Sequence, residues 1–379
     1  MTKMCYHPWV GLDISPQGEF KPCCKYTKSM ASSLKDYNTS LDLAQLRQEF
    51  LDGKQPTGCQ RCWRDEDSGI ASKRELDFKY QFNDQVPSLD SLKIISIPFG
   101  NTCNLACRIC SSYSSSRWSK ESTRIKHIFP DTAIFPPTKF YRNSEFMQEI
   151  KDAMSEVVHI DIPGGEPFYA DKTIHLDFLN SVKHPSNVNL HYTTNATKMP
   201  SDDIKQAWAK FKRVDIQLSI DGLQKKFEYN RWPAKWSDVV LHIGMYLNEI
   251  AKNKNLKISV SHSVSIFTVY YLPEFLNWCR KHNLPDPWLG LVSNPIYYDI
   301  TVLPDEAKQA IDKKFDMFDL PQLESIKQAM WAKDNSSQLD KFIKHVKILD
   351  TQRNQNFTDV FPELYQLLGE RCQTLYQLY

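Results

Sequence analysis

The chain predicts an α/β protein of six strand–helix units, with a cysteine-rich segment before them and a helical segment after them. Three observations carry that expectation. Between residues 92 and 292, short runs rich in β-branched residues alternate with stretches of helical periodicity, the pattern of parallel strands joined by right-handed crossovers. Eight of the ten cysteines fall before residue 111, where they suggest two metal centres in a reducing compartment. Beyond residue 295 the strand-like runs stop and amphipathic periodicity takes over. At 379 residues the chain is long enough for two or three modules, and boundaries near 75 and 295 follow these changes. A net charge of +2 gives no strong nucleic-acid signal. No apolar run nears the roughly 20 residues of a membrane span, and residues 1–10 hold no extended apolar segment. The expectation is a cytoplasmic protein with no membrane contact.

Taken in order, Leu12-Asp13-Ile14 and Glu19-Phe20-Lys21 flank Ser15-Pro16-Gln17-Gly18 and predict a hairpin, with Gly18 able to take φ > 0 in the turn. That hairpin brings Cys5 toward Cys23. Leu43, Leu46 and Phe50 predict a helix from Leu41 to Leu51, ended by Gly53 and Pro56. Cys59-Gln60-Arg61-Cys62 is a CxxC turn that can direct both thiolates at one metal. The charged run from 64 to about 90 predicts a solvated helix and linker. Strands are predicted at 92–97, 157–162, 188–191, 214–220, 256–264 and 288–292, and helices near 114–126, 172–183, 202–211, 236–251 and 271–282. Residues 130–142, with Pro136-Pro137, read as an insertion. Cys279 and Cys372 stand alone and read as buried thiols. The tail, with Phe342, Ile343, Val346 and Leu349 at helical spacing, reads as a packing cap on the barrel, with a dedicated recognition domain as the alternative.

The chemistry concentrates where predicted strands end, because loops there vary around a rigid frame. Gly100 to Cys110 follows the first strand of the alternation and carries Cys103, Cys107 and Cys110. Such a loop can wrap one corner of an iron–sulfur cubane, and three thiolates leave one iron open. A disulfide framework would need an oxidising setting. A zinc site would more usually pair CxxC with a distant partner pair. Cys5, Cys23, Cys59 and Cys62 suffice for one closed site, of zinc or of iron and sulfur. After the second strand, Gly164 and Gly165 allow close backbone approach to a ligand, and Glu166 offers an acceptor for an ammonium group. Asn195 ends the third strand and Ser219 the fourth, while Arg231 can grip a carboxylate bidentately. Asp221 reads as a loop cap.

In this order the motifs resemble those of the radical S-adenosylmethionine (SAM) enzymes. C-x3-C-x2-C is similar to their cluster loop, and Gly164-Gly165-Glu166-Pro167 to the GGEP turn that binds the methionyl amino group. Thr194-Asn195-Ala196 resembles a T-N-G position with alanine for glycine, and Ser219-Ile220-Asp221-Gly222 an S-x-D-G segment. Cys5, Gly18 and Cys23, with twelve and four residues between them, resemble the C-x(9–15)-G-x4-C signature of SPASM and twitch modules. Cys59 and Cys62 resemble the closing ligands, and Cys24 either replaces Cys23 or stands aside. Here the module precedes the barrel, whereas in the family it usually follows.

The resemblance spans about residues 1 to 295. It implies a twitch-like auxiliary module at 1–75, a partial (β/α)6 TIM-like barrel at 76–295 and a helical extension at 296–379. It also implies a SAM-binding [4Fe-4S] cluster on Cys103, Cys107 and Cys110, and a second, auxiliary [4Fe-4S] cluster on Cys5, Cys23, Cys59 and Cys62. SAM would be held by Gly164, Gly165, Glu166, Asn195, Ser219 and Arg231. The implied activity is reductive cleavage of SAM to a 5′-deoxyadenosyl radical that abstracts hydrogen from a peptide or protein, in an oxidation, crosslink or epimerisation. A sugar or nucleotide substrate is the alternative, and an iron–sulfur electron-transfer protein the rival outside enzymes. An electron donor such as flavodoxin or ferredoxin is the implied partner. No catalytic acid or hydrogen donor is singled out.

Overall fold

The computed structural model describes residues 4–378 apart from 68, 70 and 131. Eight strands form one sheet: β1 (Gly11–Ile14), β2 (Phe20–Lys21), β3 (Ile94–Ser96), β4 (His159–Ile162), β5 (Asn189–Thr194), β6 (Arg213–Ser219), β7 (Leu256–Val264) and β8 (Trp288–Leu291). Their spatial order is β2-β1-β3-β4-β5-β6-β7-β8. Among the described residues the strand pairs from β1–β3 to β7–β8 are parallel, and the pair β1–β2 is antiparallel. The six predicted strands are thus β3 to β8 in sequence order, as in an incomplete α/β barrel. The predicted N-terminal hairpin forms, with Gly18 at φ +85°, and its first strand extends this same sheet beside β3.

The register explains the composition of the strands. Leu12, Ile95, Ile160, Leu190, Val214 and Leu256 lie side by side across six strands, and all are buried. The next row is Asp13, Ser96, Asp161, His191 and Asp215. Side chains alternate between faces along a strand, so one face is apolar and the other polar. Parallel strands buried on both faces usually read as unbroken apolar runs. Here the polar face lines a cavity of about 970 Å3, reached by His159, Asp161, His191, Asp215, Gln217 and Ser259 from four strands. A sheet whose one face surrounds a common space is curled. The helix Lys73–Phe82 and residues 296–301 and 325–335 close the rest of that wall. The Lys25 ammonium, just past β2, lies 5.8 Å from the Trp288 ring centre on β8, so the cysteine-rich segment reaches across the barrel's gap.

Before the tail, the helices His7–Val10, Leu34–Asn38, Ser144–Ala153 and Gln224–Asn230 go beyond the sequence-based expectation. The charged run after Cys62 is corrected more substantially. It forms helices Gln60–Asp67 and Lys73–Phe82, several of whose charges turn inward while Arg64, Asp67 and Lys79 stay exposed. Asp77 is buried and contacts both His7 and Lys73 at 2.7 Å, and Arg74 pairs with Glu66 at 2.7 Å. Charges that pair across helices need not face water, and a linear charge pattern does not reveal such partners. Cys279 and Cys372 are fully buried, as expected. Among the described residues no helix is long and apolar enough to cross a membrane.

Candidate cofactor-binding site

The three-cysteine loop leaves β3 at the C-terminal edge of the parallel strands. Gly100, at φ +70°, starts it, and a Cβ there would sit 2.3 Å from the Thr138 carbonyl oxygen. Asn101 ties the loop to the 130–142 insertion, donating to Pro136 O (3.0 Å) and accepting from Thr138 N–H (2.9 Å). The insertion is therefore a brace. On the far side, the amides of Ala106 and Arg108 donate to Trp232 O (2.8 Å) and Asn230 O (2.7 Å). Trp118 Nε1 donates to Cys107 O at 2.7 Å. Burial pushes the Cys103 thiol up to about 12, and the neighbouring Cys107 adds to it. Burial also raises Cys110, reinforced by both other cysteines, and it raises Cys107 against the pull of Arg231. Three crowded thiols that resist ionising singly are stabilised together by a cationic centre.

The Gly164–Glu166 turn is locked to this loop. Glu166 N–H donates to Thr102 O at 2.8 Å. Gly165 has φ +57°, and a Cβ there would lie 2.4 Å from the same oxygen. Glu166 is buried, and burial pushes its carboxyl up to about 7. It accepts from Asn195 N–H (2.7 Å), the Thr194 hydroxyl (2.8 Å) and Phe168 N–H (3.3 Å). A carboxylate has about four acceptor positions, so one remains for a ligand cation. Asn195 reaches back with its amide, 3.8 Å from Cys103 Sγ and 3.0 Å from the Asn104 side-chain oxygen. The ends of β3, β4 and β5 thus meet around Cys103.

Ser219 ends β6, its hydroxyl 3.4 Å from that of Ser261 on β7. Arg231 places one amino group 4.0 Å from Cys107 Sγ and the other 2.7 Å from Asp221 Oδ2. The expected free fork is half engaged. Asp221 is more than a loop cap, because it both accepts from Ser263 N–H (2.7 Å) and orients Arg231. Sequence reasoning missed Thr194, Asn104 and Arg108. Arg108, a fully buried cation between two of the cysteines, carried a usable signal, since a charge inside a ligand loop needs a partner.

Cys5, Cys23, Cys59 and Cys62 line one small cavity, walled by Tyr26, Phe50 and Trp63 and flanked by Lys73 and Arg74. Gly58 is required there, because a Cβ would meet the Tyr26 ring at 2.3 Å. Cys24 is outside this lining. It is exposed, and it lines neither this cavity nor the barrel cavity. Burial raises Cys5, and it raises Cys59 to about 12. An all-thiol donor set in an apolar pocket with cations beside it fits an anionic iron–sulfur cluster, and such a set also serves zinc. Among the described residues no three His, Cys, Asp or Glu side chains converge as a single ion would require. Lys25 and Lys73 line both this cavity and the barrel cavity, so the two are adjacent.

No protein-family model and no curated protein matches this chain. Solved structures similar to it include native anSMEcpe with bound AdoMet, at 16% identity and TM-score 0.40, over 59% of this chain and 61% of that one. Native anSMEcpe with bound AdoMet and Kp18Cys peptide matches at 16% identity and TM-score 0.42, over 75% and 83%. Streptococcus suis SuiB bound to precursor peptide SuiA matches at 15% identity and TM-score 0.35, over 92% and 62%. The chain thus spans about three-fifths of the first of these.

Proposed function

We propose that this chain is a radical SAM enzyme acting on a substrate held in the barrel cavity. The observation that carries the proposal is the meeting of three elements at one strand edge: the Cys103–Cys110 loop, the Gly165 turn closed against Thr102 O, and Asn195 against Cys103. Cys103, Cys107 and Cys110 would hold a [4Fe-4S] cluster with one iron free of protein, and Cys5, Cys23, Cys59 and Cys62 would hold a second. Bound there and reduced by a flavodoxin- or ferredoxin-like donor, the first cluster with SAM would supply the 5′-deoxyadenosyl radical for hydrogen abstraction.

The chain's own groups do the rest. Glu166, with one acceptor position left, takes the methionyl ammonium. Arg231, held by Asp221, presents its remaining donors toward the carboxylate. Below them, His191 Nδ1 lies 2.7 Å from Asp161 Oδ1, leaving Nε2 for the cavity. Burial alone would lower His191, but Asp161 outweighs it and lifts the imidazole above its ordinary value. Neighbouring His159 is pushed down to about 4 by burial and stays neutral. His191 thus offers the cavity an imidazole that could exchange a proton with substrate. The adjacent four-cysteine pocket would accept or return the electron that such chemistry leaves over.

A peptide or protein side chain is the substrate favoured. The cavity mouth combines Arg61, Arg64, Asp65, Asp67 and Lys333 with half-exposed Trp288, a mixed surface suited to a polypeptide. A polar small molecule such as a sugar or nucleotide is the second reading, favoured by the Asp161–His191–Asp215 wall. The test is anaerobic reconstitution, reduction and chromatography of the SAM products. Release of 5′-deoxyadenosine is expected, and a fully iron-loaded protein that leaves SAM intact would refute the proposal.

A further inference from the structure

The C-terminal helices hold the cysteine loop from behind, and they do so with buried charge. Arg108, between Cys107 and Cys110, is fully buried. Its guanidinium lies 3.6 Å from the Tyr229 ring centre and donates to Asp350 Oδ1, to Gln355 Oε1 (3.0 Å) and to Tyr229 O (3.2 Å). Asp350 belongs to the helix Leu339–Arg353, more than 240 positions along the chain from Arg108. The same carboxylate accepts from the Tyr229 hydroxyl (2.8 Å), the Tyr376 hydroxyl (2.8 Å) and Phe357 N–H (2.7 Å). One turn on, Arg353 pairs with Glu121 at 2.6 Å and lies 5.0 Å from the ring centres of both Trp118 and Trp232. Those two tryptophans hold the loop backbone, at Cys107 O and at Ala106 N–H. Leu349 packs with Ala106 in the same cluster.

One face of one helix therefore carries Leu349, Asp350 and Arg353 to the loop. Two ion pairs of opposite polarity cross the contact, Arg108 with Asp350 and Glu121 with Arg353. A packing cap would need only the leucine. Buried ion pairs are costly to assemble and costlier to break singly, so they specify position more than they add stability. Outer groups that orient ligands and set nearby charge tune a metal centre as well as its first ligands do.

We propose that Asp350, acting through Arg108, is a positioning residue for the three-cysteine site, and that the Arg108–Asp350 pair sets the electrostatic potential at whatever that loop binds. This rests on the reading of Cys103, Cys107 and Cys110 as cluster ligands. With the pair intact the loop carries a compensated charge. With Asp350 neutralised, the Arg108 cation acts on the cluster unopposed and favours the reduced, more negative state. With Arg108 neutralised, Asp350 acts alone and disfavours it.

The test is the midpoint potential of the SAM-responsive cluster signal, followed by electron paramagnetic resonance during redox titration of the full, reconstituted chain. Asp350→Asn should shift the potential positive and Arg108→Gln should shift it negative. The double variant should return close to wild type, with thermal stability above that of either single variant. A merely structural role would lower stability in both singles without opposite-signed shifts. Tyr376→Phe keeps both charges and the fold but removes one donor to Asp350, so a smaller negative shift is expected. Iron-loaded variants at the wild-type potential, or singles that move in the same direction, would overturn the inference. Should the single variants not fold, a Tyr376→Phe protein at the wild-type potential would overturn it. Wild-type protein with no iron on the Cys103 loop would instead overturn the cluster reading beneath it, and that outcome is visible before any variant is made.

Discussion

The two cysteine sites are built in opposite ways. Cys103, Cys107 and Cys110 come from one loop eight residues long, and its surroundings come from everywhere: the β4 turn, the end of β5, the 130–142 brace and the C-terminal helix. Cys5, Cys23, Cys59 and Cys62 come from three separate segments, yet their surroundings are local, with Tyr26, Phe50 and Trp63 drawn from the same 75 residues. A short loop keeps its ligand spacing whatever the rest of the chain does, so the fold is free to leave a side open and to bring substrate-binding groups to it. A site stitched from distant segments gets its spacing only when those segments pack. It is closed, and it depends on its own small core. On the function proposed above, this difference would suit a centre that does chemistry beside one that passes charge.

The largest expected effect comes from breaking the first site. Reconstituted protein should bind roughly eight irons as two four-iron cubanes. Changing Cys103, Cys107 and Cys110 together to Ala should leave about half of them and abolish 5′-deoxyadenosine formation. Residual SAM cleavage would mean that the catalytic cluster has been assigned to the wrong cysteines.

The next effect separates the two sites. Cys59→Ala with Cys62→Ala should leave uncoupled SAM cleavage largely intact while substrate turnover collapses. Circular dichroism on the same sample is needed, since metal loss can unfold a small module. Metal analysis sharpens the comparison: stoichiometric zinc at this site in the wild-type protein would reduce it to a structural clip.

A smaller effect is expected from Gly165→Ala. Left-handed backbone costs a non-glycine residue about 1–2 kcal/mol, and the added Cβ also meets Thr102 O at 2.4 Å. SAM affinity measured by calorimetry should fall about tenfold or more, the equivalent of about 1.4 kcal/mol. Unchanged affinity would detach this turn from the SAM site.

The smallest effect is a pH dependence. Burial raises the Glu166 carboxyl from 4.5 to about 7. Between those values the folded protein keeps a proton that the unfolded chain releases, so rising pH lowers the stability of the SAM-free protein across that window. A ligand ammonium favours the carboxylate, so SAM affinity should instead rise as pH passes through about 7. Glu166→Gln should flatten both profiles, and a pH-dependent variant would assign the titration to another group.

The α/β alternation, the hairpin, the six parallel strands and both sets of cysteines were legible in the sequence, because each follows from local spacing. A run such as His159-Ile160-Asp161-Ile162 declares a strand by its alternation, and Cys103 to Cys110 gathers three thiols within a few residues. The same alternation also held the polar cavity, since His159 and Asp161 face inward while Ile160 and Ile162 pack outward. Tertiary structure decided which charges meet. The run after Cys62 looked solvated, and only packing brings Asp77 to His7 and Lys73. Packing likewise brings Arg108 to Asp350 and turns an apparent cap into a clamp on the cysteine loop. It also left Cys24 exposed and outside the four-cysteine pocket that its neighbour Cys23 lines. Periodicity reports which face of an element is apolar, because burial acts on every residue of that face alike. A buried ion pair depends on two particular atoms meeting, and nothing in the spacing of either residue encodes the other.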